Sequence, residues 1–182
     1  MSHKWLHLLL AVVPVVCISC KSDDPITVVV TIPIEACGSV DSSRAWATSS
    51  TYNMHEEIAR IGSSYTVNEK SIRVSSIVIR MKNAPPVGSA SGDVYAHIYT
   101  SGPHLLSFTN TQFTALASGI TWGDSTVIVD HRGLDDLLSY FRDPRGLPQP
   151  MGVFTNGTTS VSVAQTVEIC AQILLQLDGQ SK

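Results

Sequence analysis

The chain has 182 residues, 43% of them hydrophobic and 15% charged, a balance that excludes intrinsic disorder and fits one folded domain. Twelve Lys+Arg against fifteen Asp+Glu give a formal charge of -3 with no basic stripe, which excludes nucleic acid as a partner held by phosphate neutralisation. The 19 Val, 14 Ile and 15 Thr favour strands over a helical bundle, because β-branched side chains lose less χ1 freedom on a pleated surface.

The first element is a short N-terminal apolar run. Lys4 precedes Leu8 to Val16, LLLAVVPVV, which contains no charge and is too short for a permanent membrane-spanning helix, for which about 20 apolar residues are needed. It has the form of a signal peptide. The run closes on Cys17-Ile18-Ser19-Cys20, and a small residue directly before a cysteine resembles the lipobox of bacterial lipoproteins. That resemblance implies removal of residues 1–19, a diacylglyceryl group on Cys20 and acylation of the new amino terminus, palmitate being a typical chain. Cys17 departs from the pattern, because lipoboxes usually carry Leu there. A simple secretory signal or a buried N-terminal strand is the plainer alternative.

The following Lys21-Ser22-Asp23-Asp24 resembles the acidic segment of Bacteroidota-type surface lipoproteins. It implies an outer-membrane, lipid-anchored protein facing outward, with the periplasmic face as the alternative; residues 20–25 then form a lipidated tether and residues 26–182 the domain. Each buried CH₂ contributes about 0.8 kcal/mol, so several acyl chains hold the domain without a spanning helix. Loss of Lys4 leaves 11 basic against 15 acidic residues, or -4. Cys37 and Cys170 remain as thiols in an oxidising compartment, where one disulfide closing a 134-residue loop is expected; two separate buried thiols are the alternative.

Ile26 to Ile34 alternates Ile26, Val28, Val30, Ile32 and Ile34 with Thr27, Val29, Thr31 and Pro33, which predicts a strand with Pro33 marking a sheet edge or the end of pairing. Thr51 to Gly62 has Met54, Ile58 and Ile61 at helical spacing, acidic Glu56 and Glu57 early, and Gly62 at the cap. Strands are expected at Ser71 to Lys82, with a bulge near Ser75-Ser76, and at Asp93 to Thr100 and Ser125 to Asp130. Leu134 to Arg142 predicts a second helix, with Asp135 and Asp136 in its first turn and Pro144 and Gly146 ending it. Met151 to Thr155 and Thr158 to Ala164 flank Asn156-Gly157, which signals a two-residue hairpin. Thr166 to Leu177 sets Val167, Ile169, Ala171, Ile173, Leu175 and Leu177 on one face. About seven strands with short helical insertions predict an all-β, two-layer antiparallel β-sandwich. The pattern does not separate a jelly-roll order from an immunoglobulin-like one.

Chemistry is sparse. His55, His97, His104 and His131 form no HExxH and the cysteines no Cys-x-x-Cys, so no metal is expected, and no cofactor fingerprint is present. Gly88 to Gly92, GSASG, places Ala90 where a nucleophile elbow needs Ser. No catalytic residue is assigned, and the chain is expected not to be an enzyme. The most suggestive binding feature is Asp93 to Thr100, where Tyr95, His97 and Tyr99 share one strand face, with Trp46 and Trp122 in apparent loops able to join them. Such rings stack on sugars or pack against protein, whereas cross-strand aromatic pairs that merely cover a sheet are the structural alternative. The expected function is therefore a lipid-anchored envelope module that binds glycan or protein. The alternative is a structural subunit whose sandwich edges pair by strand addition.

Overall fold

The structure is a computed structural model and describes residues 26–97, 102–142 and 151–181. Among these, nine strands form two antiparallel sheets with three short helices between them. Sheet A contains β1 (Thr27–Ser39), β9 (Glu168–Ser181), β3 (Tyr65–Lys82) and β6 (Ile120–Thr121), in that order. Sheet B contains β2 (Ala45–Tyr52), β8 (Met151–Thr159), β4 (Ser89–His97), β5 (His104–Gln112) and β7 (Val127–Val129). The all-β sandwich with short helical insertions is the architecture that the β-branched composition predicts.

Alternation decides which faces meet. Val30, Ile32, Ile34 and Ala36 of β1, Ile77, Ile79 and Met81 of β3, and Ile169 to Leu177 at every second position of β9 are buried between the sheets. Val94 and Ala96 of β4, Leu106 and Phe108 of β5, and Met151 and Val153 of β8 answer them from sheet B. β1 continues past Ile34 to Ser39 because every residue finds a partner on β9, from Thr27↔Gln180 to Ser39↔Glu168. Pro33 lies on this strand at the open edge of the sheet, where a missing N–H leaves no ladder bond unmade. The bulge near Ser75 is present: the register shifts between Val74 and Ser76, and the Ser75 hydroxyl donates to Leu174 O at 3.0 Å.

Helix α1 (Met54–Gly62) buries Met54, Ile58 and Ile61 at the expected spacing, and the Asn53 side chain caps its start. It runs through Gly62 and closes at Ser63, so Gly62 is its last residue and not its cap. A six-residue helix α2 (Phe113–Ser118) was not predicted; it buries Phe113 and Leu116. Helix α3 (His131–Arg142) starts three residues before Leu134, because Asp130 caps it by accepting from Gly133 N at 3.1 Å. Asp135 and Asp136 therefore fall in its second turn, exposed, and not in the first. Pro144 and Gly146 lie outside the described residues.

The hairpin expected at Asn156-Gly157 does not exist: β8 runs unbroken from Met151 to Thr159, and residues 160–167 are irregular. Gly157 serves close packing instead. Trp46 of β2, Gly157 of β8, Gly92 of β4 and Phe108 of β5 are successive cross-strand partners. The Trp46 ring lies over both glycines, where a Cβ on Gly157 would stand 2.3 Å from it and one on Gly92 2.6 Å, and stacks on Phe108 with centroids 6.1 Å apart. Trp46 is thus a core residue at 3% exposure and no part of a binding face.

Cys37 and Cys170 are bonded, with Cα atoms 4.0 Å apart. They are direct partners on β1 and β9. Ser181 N donates to Ile26 O, so even-numbered residues of β1 make the ladder bonds and Cys37 falls at a non-hydrogen-bonded position. Side chains approach closest at such positions, which is why the bridge forms without displacing a strand.

Candidate functional site

The outer face of sheet B carries a connected group of polar and aromatic side chains. Tyr95 projects outward from β4, since its neighbours Val94 and Ala96 are fully buried. Its ring meets His104 edge-on at 5.1 Å and Phe154 at 5.9 Å. The three come from adjacent strands, with Phe154 and Tyr95 paired in the β8–β4 ladder and Tyr95 and His104 in the β4–β5 ladder.

His104 connects this row to three more side chains. Its Nδ1 lies 3.3 Å from Asp130 Oδ2, and its Nε2 lies 3.2 Å from Asp93 Oδ1 and 3.0 Å from Ser107 Oγ. Ser107 donates to Asp93 Oδ1 at 2.6 Å. Asp93 is two residues before Tyr95 and shares its face; Asp130 is the cap of α3. Gly133 permits the junction, because a Cβ there would stand 1.7 Å from His104 O. The first turn of α3 thus rests directly on the start of β5.

His104 and Ser107 are three residues apart, a spacing that puts side chains on opposite faces of a regular strand. A register shift resolves this. Val94 pairs with Leu106 while Tyr95 pairs with His104, so Leu105 is the extra residue of a β-bulge. Leu105 and Leu106 both turn into the core at 0% exposure, and His104 and Ser107 both face out.

Ser107, His104 and Asp130 stand in the order nucleophile, base and carboxylate. A general base must present a lone pair to the serine proton. The shorter contact of Ser107 Oγ is to Asp93 Oδ1, at 2.6 Å against 3.0 Å to His104 Nε2, and His104 Nε2 faces the same carboxylate oxygen. The group therefore acts as a set of charge-assisted hydrogen bonds that joins β4, β5 and the start of α3. Asp130 has its pKa lowered, first by the Gly133 N–H and next by His104. Tyr95 has its pKa raised, by burial first and by the Asp93 charge second.

No protein-family model matches the chain, and no curated protein matches its sequence. Among solved structures, a chain of Desmodium yellow mottle tymovirus is similar with a TM-score of 0.34 and 10% identity, covering 93% of this chain and 96% of that one. A chain of turnip yellow mosaic virus gives 0.36 and 11%, covering 95% and 90%. One from the extra small virus of the giant freshwater prawn Macrobrachium rosenbergii gives 0.31 and 12%, covering 90% and 84%. Likeness at this level carries no argument about function.

Of the residues singled out by sequence, Tyr95 stands where expected, on the outward face. Tyr99 lies outside the described residues, as do the His97 side chain and Cys20. Trp122 follows β6, at the edge of sheet A, and packs half-buried against the core, so it does not extend the Tyr95 face. His131 is the exposed first residue of α3. Sequence reasoning missed Phe154, Asp93, His104, Ser107 and Asp130. Alternation from Tyr95 identifies Asp93, and from buried Val153 it identifies Phe154; nothing local announces the bulge that brings in His104 and Ser107. A metal-compatible grouping of Glu35, Cys37 and Cys170 has ligand atoms within 4.8 Å, but both sulfurs belong to the disulfide. Among the described residues no helix is long and apolar enough to cross a membrane.

Proposed function

We propose that this protein is a non-enzymatic binding module, held at the bacterial outer membrane through lipid on Cys20, whose ligand is a carbohydrate taken on the outer face of sheet B. The observation that carries the reading is the Tyr95–Phe154 pair standing beside Asp93 on an outward sheet face. Ring faces cover the apolar side of a sugar. Asp93 uses only Oδ1 within the described network, which leaves Oδ2 as an acceptor for sugar hydroxyls at the rim of those rings. Ser49 and Thr51 of β2, both small, pair with Phe154 and Gly152 on β8 and border the rings on that side. The hydrogen-bond pattern of Ser107 supports the non-enzymatic part, and the lipobox-like Cys20 supports the anchored part. The structural-subunit alternative rests on strand edges, and β1 supplies one.

The test is a glycan array probed with the full chain, followed by titration of whatever sugar binds. Tyr95→Ala and Phe154→Ala are expected to weaken binding at least tenfold each, and Asp93→Asn to weaken it with the fold intact. An array without signal, or binding unchanged in Tyr95→Ala, overturns the carbohydrate reading. Globomycin-sensitive processing and loss of membrane association in Cys20→Ala test the anchor separately.

A further inference from the structure

The open edge of β1 is not uniform. Glu35 N donates to the Tyr52 hydroxyl at 2.8 Å, the same hydroxyl donates back to Glu35 O, and the Thr48 hydroxyl donates to Cys37 O at 3.0 Å. Side chains of β2 therefore occupy the outward backbone groups in the second half of the strand. Counting back by twos from Glu35, Pro33 has no N–H, and Thr31, Val29 and Thr27 point their N–H and C=O groups away from β9. No described residue bonds to these groups. The free stretch is Thr27 to Thr31, with a proline on either side at Pro25 and Pro33.

This window reads Thr-Val-Val-Val-Thr in both directions and contains no charge. Val29 at 42% exposure and Ile26 at 64% are two of the few large apolar side chains left in solvent. A free, uncharged, β-branched edge is a template for another strand. We infer that two copies of this chain pair antiparallel through β1, about a two-fold axis at Val29. Val29 then meets Val29 of the second copy, and Thr27 meets Thr31 in both directions. Three hydrogen-bonded pairs of this kind supply about six inter-chain bonds. Like side chains meet on the outer face of sheet A, and no like charges are brought together.

A five-residue strand pair buries far less than the roughly 1,200 Å² of a free-standing stable interface, so the pair forms where copies are concentrated. The chain preceding β1 suits that condition. The two Ile26 residues stand about 20 Å apart along the paired strands, six residues at about 3.4 Å each. Residues 20–25 reach up to about 20 Å when extended, so both anchors meet one membrane surface. This concentrating effect rests on the anchored reading, whereas the register does not.

The experiment places single cysteines in the full chain with Cys17→Ser and Cys20→Ser, which removes the lipid question, and oxidises the concentrated protein. Val29→Cys is expected to form a covalent dimer by itself, since a hydrogen-bonded pair holds Cα atoms about 5.5 Å apart, within disulfide range. Thr27→Cys and Thr31→Cys are expected to cross-link only when mixed. Val29→Pro removes one outward N–H, as Pro33 already does in the native strand, and is expected to abolish the mixed cross-link while the urea midpoint stays unchanged. Absence of the Val29→Cys dimer, equal dimer yields at all three positions, or a cross-link that survives Val29→Pro overturns the pairing. Retention of the Cys37–Cys170 bond in each variant, read by mass, shows that the strand is in place.

Discussion

Replacing Cys37 and Cys170 together by alanine removes the one cross-link between the first and last strands of the described fold. The bridge closes a loop of 134 residues, from a sequence separation of 133. In the chain-entropy model such a loop restricts the unfolded ensemble by about 17 cal/mol/K, or about 5 kcal/mol at 25 °C. The folded state loses little, because β1 and β9 stay in register along all 13 residues of β1 without the bond. Alanine avoids burying a hydroxyl at the Cys170 site, which is 1% exposed. With a urea m-value of about 2 kcal/mol/M, the midpoint should fall by roughly 2.5 M. Domains of this class hold only about 5 to 15 kcal/mol in total, so the variant should be marginal at best. The assay is equilibrium urea unfolding followed by tryptophan fluorescence, with the oxidised wild type alongside, and m should rise because the uncrosslinked unfolded chain exposes more surface. A midpoint within about 0.5 M of wild type would refute the claim that the bridge stabilises by constraining the unfolded chain.

Other perturbations test the packing and the site. Gly133→Ala should cost about 1 to 3 kcal/mol, because the new methyl meets His104 O at 1.7 Å and α3 must lift; Gly62→Ala, with nothing within 4 Å, should instead gain up to about 1 kcal/mol, both read by thermal or urea melts. Gly157→Ala puts a methyl 2.2 Å from Ser91 O and 2.3 Å from the Trp46 ring, so a shift in tryptophan emission should accompany a stability loss of similar size. Asp130 has a folded pKa below its unfolded value near 3.9, so its contribution is present above about pH 4 and is lost as pH falls through the lowered folded value. Asp130→Asn keeps the cap of α3 and should flatten that acid limb in urea midpoints measured between neutral and strongly acid pH; an unchanged acid limb would remove Asp130 as its source.

Much of the fold is written in short-range pattern. The alternation of Ile26 to Ile34 and of Val167 to Leu177 specifies two long strands with one buried face each, and the helical spacing of Met54, Ile58 and Ile61 specifies α1. These readings succeed because burial selects side chains with the period of the element itself. The cysteine count likewise points to the Cys37–Cys170 bridge, given an oxidising environment.

What only the tertiary structure decides depends on residues distant in sequence. Asn156-Gly157 has the local chemistry of a turn, yet Gly157 lies mid-strand because Trp46, more than a hundred residues earlier, needs the space above it. Trp46 accordingly leaves the binding surface for the core. His104 and Ser107 have the wrong spacing to share a strand face, and the extra residue at Leu105 brings them together against Asp93 and the cap of α3. Thr48 and Tyr52 close half of the β1 edge from the other sheet, so the extent of the free edge is a property of how the sheets meet. Local pattern fixes which face of a segment is apolar; the partner across the sandwich decides what the opposite face and the edges are used for.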